Sequence, residues 1–233
     1  MNNEMINEEI FGVDDYDFGQ NMDVEEVDVE DPTLFSITID KSGSMDDYNC
    51  VVPDCIQTVK DAIIDSKSED EFVVSVNYFN ENVTLGGYQN INDVSTAFDA
   101  DGLTALFDAI VIAGKALKSE DETGYYDTIR KSGRTPKGIF AILSDGWNNA
   151  SKASAEDAKR VVAHLKSNEI ITAFIAFGDD AVGIGEQLGF ANVLNVREAN
   201  EKELRKIFRV LSKSAVRASK SAKAIPDGNF FQV

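Results

Sequence analysis

The chain has 233 residues, of which 43% are hydrophobic and 27% charged, values typical of a globular protein and not of a disordered one. We expect one α/β domain with tails, because a single hydrophobic core can grow to about 250 residues before a chain divides. The formal net charge of -19 opposes binding to the phosphates of nucleic acids and to anionic membranes. Neither is an expected partner.

The amino-terminal residues predict no export signal. The sequence begins MNNEMINEEIFGV, with neither a basic region nor an apolar run behind it. Nowhere does an apolar run approach the ~18 residues that would span a bilayer. We therefore expect a cytoplasmic protein.

The two ends of the chain carry opposite charge. Residues 1–31 contain twelve Asp and Glu and no Lys, Arg or His, whereas residues 204–226 contain seven Lys and Arg and no acid. The predicted organisation is an acidic N-terminal arm at 1–31, a domain at 32–214 and a basic-to-apolar C-terminal tail at 215–233. We expect the arm to act in interaction, either on the basic helix near the C-terminus or at a metal site, where it could join neighbouring molecules. A solvated solubility tail is the alternative.

The first half of the domain alternates between strand and helix patterns. Residues 34–39 form a nearly continuous apolar run rich in β-formers, as expected for a strand buried on both faces. A helix is predicted from Pro53, because apolar residues then recur at helical spacing and proline fits the first turn. Residues 71–79 predict a second strand, and residues 83–85, followed by two glycines, predict its short antiparallel partner at a sheet edge.

The second half continues the same alternation. A helix with one apolar face is predicted over 104–117, before a buried strand at 138–143. A helix, two strands and a closing helix follow, at 154–166, 170–177, 192–196 and 201–214. This order predicts βαβ units. The expected fold is therefore α/β and doubly wound, with a mostly parallel central sheet, one short antiparallel edge strand and helices on both faces.

Acidic residues follow two of the predicted buried strands. Asp40 ends the first strand and begins the sequence DKSGS, which also contains Ser42 and Ser44, and Asp145 follows the strand at 138–143. The carboxyl ends of strands in an open α/β sheet line the ligand crevice, so these acids can converge there. The hydroxyl of Thr104, in the loop before a helix, can reach the same place. The sequence therefore predicts a metal site.

The predicted ligands are all oxygen atoms. Two carboxylates and three hydroxyls suit a hard cation such as Mg²⁺, with Mn²⁺ or Ca²⁺ as alternatives, whereas zinc and copper prefer His or Cys. An ion held by few formal charges keeps an open coordination position, which a carboxylate from a partner can fill. The other interpretation is that Ser42 and Ser44 cap the next helix, and that Asp40 and Asp145 are solvated strand ends.

The spacing of these residues resembles the metal-ion-dependent adhesion site (MIDAS) of von Willebrand factor A domains. The resemblance covers about residues 33–212. The phrases TIDKSGSM, DGLTALFDAI and ILSDG are similar to those of bacterial stand-alone members, including those near tellurium-resistance and AAA-ATPase systems. By this resemblance the ion would be held by Asp40, Ser42, Ser44 and Thr104, with Asp145 acting directly or through water.

The rim of the predicted site departs from what an acidic ligand would favour. Lys41 lies beside the site, but Asp46 and Asp47 follow closely and make the rim acidic. Trp147 comes directly after the second acidic motif. It is either a core residue or an interface anchor, since tryptophan is enriched at binding hot spots.

The chain offers no usual nucleophile–base pair. His164 is the only histidine and is expected on the exposed side of its helix. Cys50 and Cys55 are five residues apart and would point in different directions on a helix, so we expect them to pack and not to form a disulfide or metal clip. The glycines at 183 and 185 lack the third glycine of a dinucleotide loop at the right distance. We expect neither enzyme activity nor nucleotide binding.

The expected function is a metal-dependent protein–protein interaction module that binds an Asp or Glu of a partner through a divalent cation. One alternative is a structural subunit of a larger assembly, in which the metal only stabilises the fold. A second alternative is a magnesium-dependent hydrolase.

Overall fold

The computed structural model describes residues 20–67, 71–196, 200–221 and 227–231. Within these ranges the strands are β1 (Thr33–Asp40), β2 (Phe72–Phe79), β3 (Val83–Thr84), β4 (Gln89–Asn90), β5 (Lys137–Ser144), β6 (Ile171–Phe177) and β7 (Asn192–Val196). The α-helices are α1 (Val52–Asp65), α2 (Leu106–Leu117), α3 (Tyr125–Lys131), α4 (Ala155–Ser167), α5 (Asp179–Gln187) and α6 (Glu201–Ser219). None of the helices in the described ranges has the length and apolarity needed to cross a bilayer.

The strands form one mixed sheet in the order β3-β2-β1-β5-β6-β7, with β4 also paired to β2. The five long strands are parallel to their neighbours, whereas β3 and β4 are antiparallel to β2. The predicted α/β fold with an antiparallel edge strand is confirmed. β4 was not predicted, because a strand of two polar residues shows no hydrophobic pattern.

The centre of the sheet lies between β1 and β5, where Ile39 pairs with Leu143. The chain leaves β1 through α1 towards β2, and leaves β5 through α4 towards β6 in the opposite direction. α1 packs with α6 on one face of the sheet, and α4 packs with α2 on the other. The crevice outside the carboxyl ends of β1 and β5 is therefore the topological switch point, where open α/β sheets bind ligands.

Three helices differ from the sequence prediction, and two of them, α3 and α5, were not predicted at all. α6 extends five residues beyond the predicted end at 214, because Ala215 and Ala218 continue its buried face. The first five residues of the predicted tail are therefore helical. α5 was not predicted, since glycine disfavours helices. It forms because its Gly185 allows a close approach to β6, where an added Cβ would lie 2.8 Å from a ring atom of Phe174.

The described part of the predicted acidic arm, residues 20–31, packs against the domain. The backbone N–H of Met22 donates to the carbonyl of Tyr88 (2.6 Å), and the Tyr125 hydroxyl donates to the carbonyl of Met22 (3.0 Å). Val27 is buried. This segment is therefore attached to the surface of the domain. The predicted interactions of residues 1–19 lie outside the described residues.

A buried ion pair joins the end of α2 to the first turn of α3. Lys118 Nζ lies 2.5 Å from Asp127 Oδ1, and the two side chains are only 6% and 4% exposed. Removing one partner of such a pair leaves an uncompensated buried charge, which typically costs about 3–5 kcal/mol. The pair therefore fixes the path of the chain behind α2, the helix that begins beside Thr104.

We expect Asp127→Ala to lower the free energy of unfolding by about 3–5 kcal/mol, because Lys118 would then be buried without a partner. The double variant Lys118→Met, Asp127→Ala removes both charges and should recover a large part of this loss. Urea denaturation of the three proteins measures both effects. Equal stability of the single variant and the unmodified protein would contradict a structural role for the pair.

Candidate metal centre

Asp40 is the centre of the candidate site. It ends β1, and its side chain is fully buried. Its Oδ1 accepts from the backbone N–H of Ser42 (2.9 Å), and its Oδ2 accepts from the Ser144 hydroxyl (2.7 Å). Burial raises the pKa of Asp40 to about 6, the hydrogen bonds oppose this rise, and the nearby charge of Asp145 adds to it. The carboxylate is therefore held in a fixed orientation in a place that favours a compensating positive charge.

Ser42 and Ser44 place two hydroxyls next to each other in the turn after β1. Their Oγ atoms are 3.2 Å apart. Ser42 stands at the N-cap of the 3-10 helix Gly43–Tyr48, but its side chain makes no capping hydrogen bond. The structure therefore does not support the interpretation that this hydroxyl serves as a helix cap. Both hydroxyls stay close to a carboxylate that needs a cation.

Thr104 is held in place by the loop that follows β5. Its backbone N–H donates to the side-chain carbonyl of Asn149 (2.8 Å), and its own carbonyl accepts from the N–H groups of Asn149 (2.9 Å) and Ala150 (3.0 Å). Thr104 is buried, and within the described ranges its hydroxyl makes no hydrogen bond to another residue. This hydroxyl is therefore available to a ligand.

Backbone hydrogen bonds also join the Thr104 loop to the loop after β1. Gly43 N–H donates to the carbonyl of Gly102 (3.0 Å), and Asp101 N–H donates to the carbonyl of Lys41 (2.8 Å). Gly102 has φ +84°, and an added Cβ would lie 2.0 Å from the Glu81 carboxylate. The positive φ favours glycine at this position. The loops carrying three of the predicted ligands thus form one rigid surface.

Asp145 is half-buried at the end of β5, and its Oδ1 accepts from the N–H of Trp147 (3.1 Å). The turn continues through Gly146, which has φ +83° and would bring an added Cβ to 2.9 Å from Ala181 Cα. Gly146 N–H donates to the hydroxyl of Ser144 (3.1 Å). Ser144 therefore connects the two acidic positions, because its hydroxyl donates to Asp40 and accepts from the turn that follows Asp145.

The residues predicted as ligands fit a hard divalent cation by their chemistry. Within the described ranges no group of three or more His, Cys, Asp or Glu side chains could hold a metal ion, so hydroxyls must supply part of any coordination shell. Oxygen donors of low total charge suit Mg²⁺ better than a soft metal. The structure brings together three hydrogen-bonded loops that carry Asp40, Ser42, Ser44, Thr104 and Asp145.

Sequence reasoning missed residues that position the ligands without belonging to the motif. Ser144 bonds to Asp40, Asn149 anchors Thr104, and Glu81 accepts from the N–H of Leu103 (2.9 Å). Of these, only Ser144 could have been found from the sequence, since it is a hydroxyl residue between a buried strand and an acid.

His164 was expected to be exposed. It is half-buried on α4, the helix that packs against α2, and its Nε2 has no partner among the described residues.

No protein-family model and no curated protein sequence matches the chain, but solved structures do. The pilus adhesin SpaC from Lactobacillus rhamnosus GG aligns with TM-score 0.60 and 11% identity over 86% of this chain and 31% of that one. A von Willebrand factor type A protein from Catenulispora acidiphila aligns with TM-score 0.54 and 18% identity over 80% of this chain and 43% of that one. Proximal thread matrix protein 1 from the mussel byssus, with a zinc-occupied MIDAS motif, aligns with TM-score 0.50 and 18% identity over 81% and 47%.

These likenesses establish the fold. The chain spans less than half the length of each of these three neighbours, and its identity to them is low. The fold that the motifs predicted, that of von Willebrand factor A domains, is confirmed.

The raised pKa of Asp40 predicts how the metal-free protein responds to pH. Because the folded value of about 6 lies above the ordinary 3.8, the folded state holds an additional proton between these values, and stability falls as the pH rises through this window. In chelator, this group should make the protein about 1 kcal/mol less stable at pH 7 than at pH 5. Asp40→Asn should remove that contribution. Denaturation curves at both pH values measure it, and an identical pH response in the variant would contradict the assignment.

Asn149→Ala should weaken metal binding without removing a ligand. The variant loses the acceptor of the Thr104 N–H, so the Thr104 hydroxyl is held less firmly. Loss of such an outer contact typically costs about tenfold in metal affinity. Isothermal titration calorimetry with Mg²⁺ measures the change. Asn168→Ala is the matched control, because that side chain bonds to a carbonyl of α4, and it should leave the affinity unchanged.

Proposed function

We propose that this protein is a metal-dependent protein-binding module. A divalent cation, Mg²⁺ in our proposal, is held by Asp40, Ser42, Ser44, Thr104 and Asp145 and binds an Asp or Glu side chain of a partner protein. The observation that carries the proposal is the buried Asp40 carboxylate at the switch point of the sheet. The pKa of this carboxyl is raised, and no Lys or Arg within the described ranges forms an ion pair with it.

The charge of the ligand set supports a partner carboxylate. Asp40 and Asp145 together balance a divalent ion, and the hydroxyls of Ser42, Ser44 and Thr104 add no further charge. Because no third carboxylate of this chain would reduce the charge of the ion further, the ion can still attract an oxygen atom of the partner. Among the solved structures of the same fold, one contains zinc in its MIDAS motif, which supports a divalent ion in this position here.

The proposal and its two alternatives differ in whether partner binding, stability or catalysis depends on the metal. In a structural subunit, chelation would lower stability but leave partner binding intact. In a hydrolase, a nucleophile or base would be needed near the metal. Cys55 is buried on α1, and burial raises its pKa to about 12, so it is a poor nucleophile. Four points stay predictions. They are the absence of enzyme activity, the cytoplasmic location, the association with tellurium-resistance or AAA-ATPase systems, and self-association through the acidic arm.

Asp40→Ala and Asp145→Ala should each abolish binding of Mg²⁺ and Mn²⁺ in calorimetry, because each removes a charged ligand. Thr104→Ala should weaken binding with little effect on stability, since its hydroxyl has no partner among the described residues. Asp46→Ala is the matched control. This exposed acid bonds to Asn49, and its removal should leave the metal affinity within about twofold. Unchanged affinity in both Asp40→Ala and Asp145→Ala would refute the site.

Partner binding is tested with the full chain as bait in a cell extract. A partner should be retained in Mg²⁺, lost in EDTA, and not retained by the Asp40→Ala bait. Circular dichroism of that variant verifies that the fold persists. Equal retention in EDTA would refute the metal-bridged mechanism, and melting that changes with chelator while retention does not would identify the structural alternative.

A further inference from the structure

Large apolar side chains are exposed at few places in the described part of the chain. They are Ile64 on α1, 37% exposed, Leu103, 55% exposed, and Trp147, 68% exposed. Leu103 directly precedes Thr104, and Trp147 lies two residues after Asp145. A single exposed apolar residue is ordinary in soluble proteins. Here the two most exposed ones lie on two of the three loops that carry the predicted ligands of the candidate metal centre.

The backbone holds both apolar residues in place. The N–H of Leu103 donates to the Glu81 carboxylate (2.9 Å), and the N–H of Trp147 donates to the Asp145 carboxylate (3.1 Å). The Thr104 N–H donates to the Asn149 side chain, and the N–H groups of Asn149 and Ala150 donate to the Thr104 carbonyl, so the two loops are joined. A partner that binds here orders little additional backbone, so the entropy cost of its binding is low.

The surface around the centre is acidic. Five exposed carboxylates belong to the loops after β1 and β2 and to the Thr104 loop, and the cation in these three loops is the half-buried Lys41. The five are Asp46, Asp47, Glu81, Asp99 and Asp101. Asp40 and Asp145 are balanced by a divalent ion, so the ion is a positive centre within a rim where these acids outnumber Lys41 and Lys152. A ligand that is acidic along its whole length would be attracted at one atom and repelled around it.

We infer that the partner offers a segment with a single Asp or Glu, apolar residues directly beside it, and Lys or Arg further out. This inference rests on the proposed function and specifies its partner. The carboxylate binds the ion, the apolar side chains pack on Leu103 and Trp147, and the basic residues lie over the acidic rim. Trp147 can also stack with a guanidinium or ammonium group. The chain's own VDDYDF, residues 13–18, has three acids and no base and is a poor ligand by the same argument.

Two synthetic peptides with the same core and opposite flanks test the charge preference. The probe is Lys-Arg-Leu-Asp-Leu-Lys-Arg, and its counterpart is Glu-Glu-Leu-Asp-Leu-Glu-Glu, each blocked at both ends and dye-labelled for fluorescence anisotropy with the full chain in Mg²⁺. We expect the basic peptide to bind at least tenfold more tightly and to weaken as salt is raised. Tighter binding of the acidic peptide, or of a peptide of residues 10–20, would overturn the inference, and so would the absence of binding by the basic peptide.

Three apolar variants test the contact surface. Leu103→Ala and Trp147→Ala should each weaken the basic peptide at least fivefold while calorimetry shows unchanged Mg²⁺ affinity. Ile64→Ala is the matched control and should bind as the unmodified protein does. If all three variants bind alike, the apolar contacts are refuted, although loss of binding in EDTA would still support the metal-bridged mechanism. If binding persists in EDTA and in Asp40→Ala, the proposed function itself is refuted.

Discussion

A buried carboxylate without a cationic side chain is the constraint on which this molecule depends. Asp40 ends the central strand, out of contact with water, and its hydrogen bonds come from the side chain and backbone N–H of Ser42 and from the Ser144 hydroxyl. These neutral donors do not offset the loss of hydration of a charge, so burial raises the pKa of this carboxyl. Under the proposed function a divalent ion removes this difficulty, because its charge compensates the buried carboxylate.

The topology makes this burial possible. A parallel sheet with helices on both faces buries its central strands completely, as the uniformly buried β1 shows. The chain leaves β1 and β5 in opposite directions, so a crevice forms beyond their carboxyl ends. Three loops meet there, and backbone bonds between Gly43 and Gly102 and between Thr104 and Asn149 hold them together. The order of the strands therefore brings together predicted ligands that are far apart in the sequence.

The buried strands could be predicted from the sequence, because burial on both faces leaves a continuous apolar run. The order of the metal motif could be predicted as well. What escaped prediction is decided by tertiary contacts. α5 contains two glycines that disfavour helix, yet Gly185 is needed against Phe174. The predicted arm looked uniformly acidic, but Val27 among its acids is buried. Asn149 positions Thr104 from 45 residues away, and no local pattern announces such a contact.

The same electrostatics connect stability to recognition. Without an ion, Asp40 and Asp145 add negative charge to a rim already rich in carboxylates, on a chain of net charge -19, so the surface repels an acidic side chain. A bound divalent ion would cancel the charge of this pair and place a positive charge at the centre of that face. Under the proposed function, metal binding both relieves the desolvation of Asp40 and reverses the sign of the force on a partner carboxylate. Leu103 and Trp147 contribute area without charge, so they add affinity in either state but cannot by themselves overcome the repulsion of the metal-free surface. Binding of the partner then requires the ion, although the apolar contacts with Leu103 and Trp147 are the same with and without it.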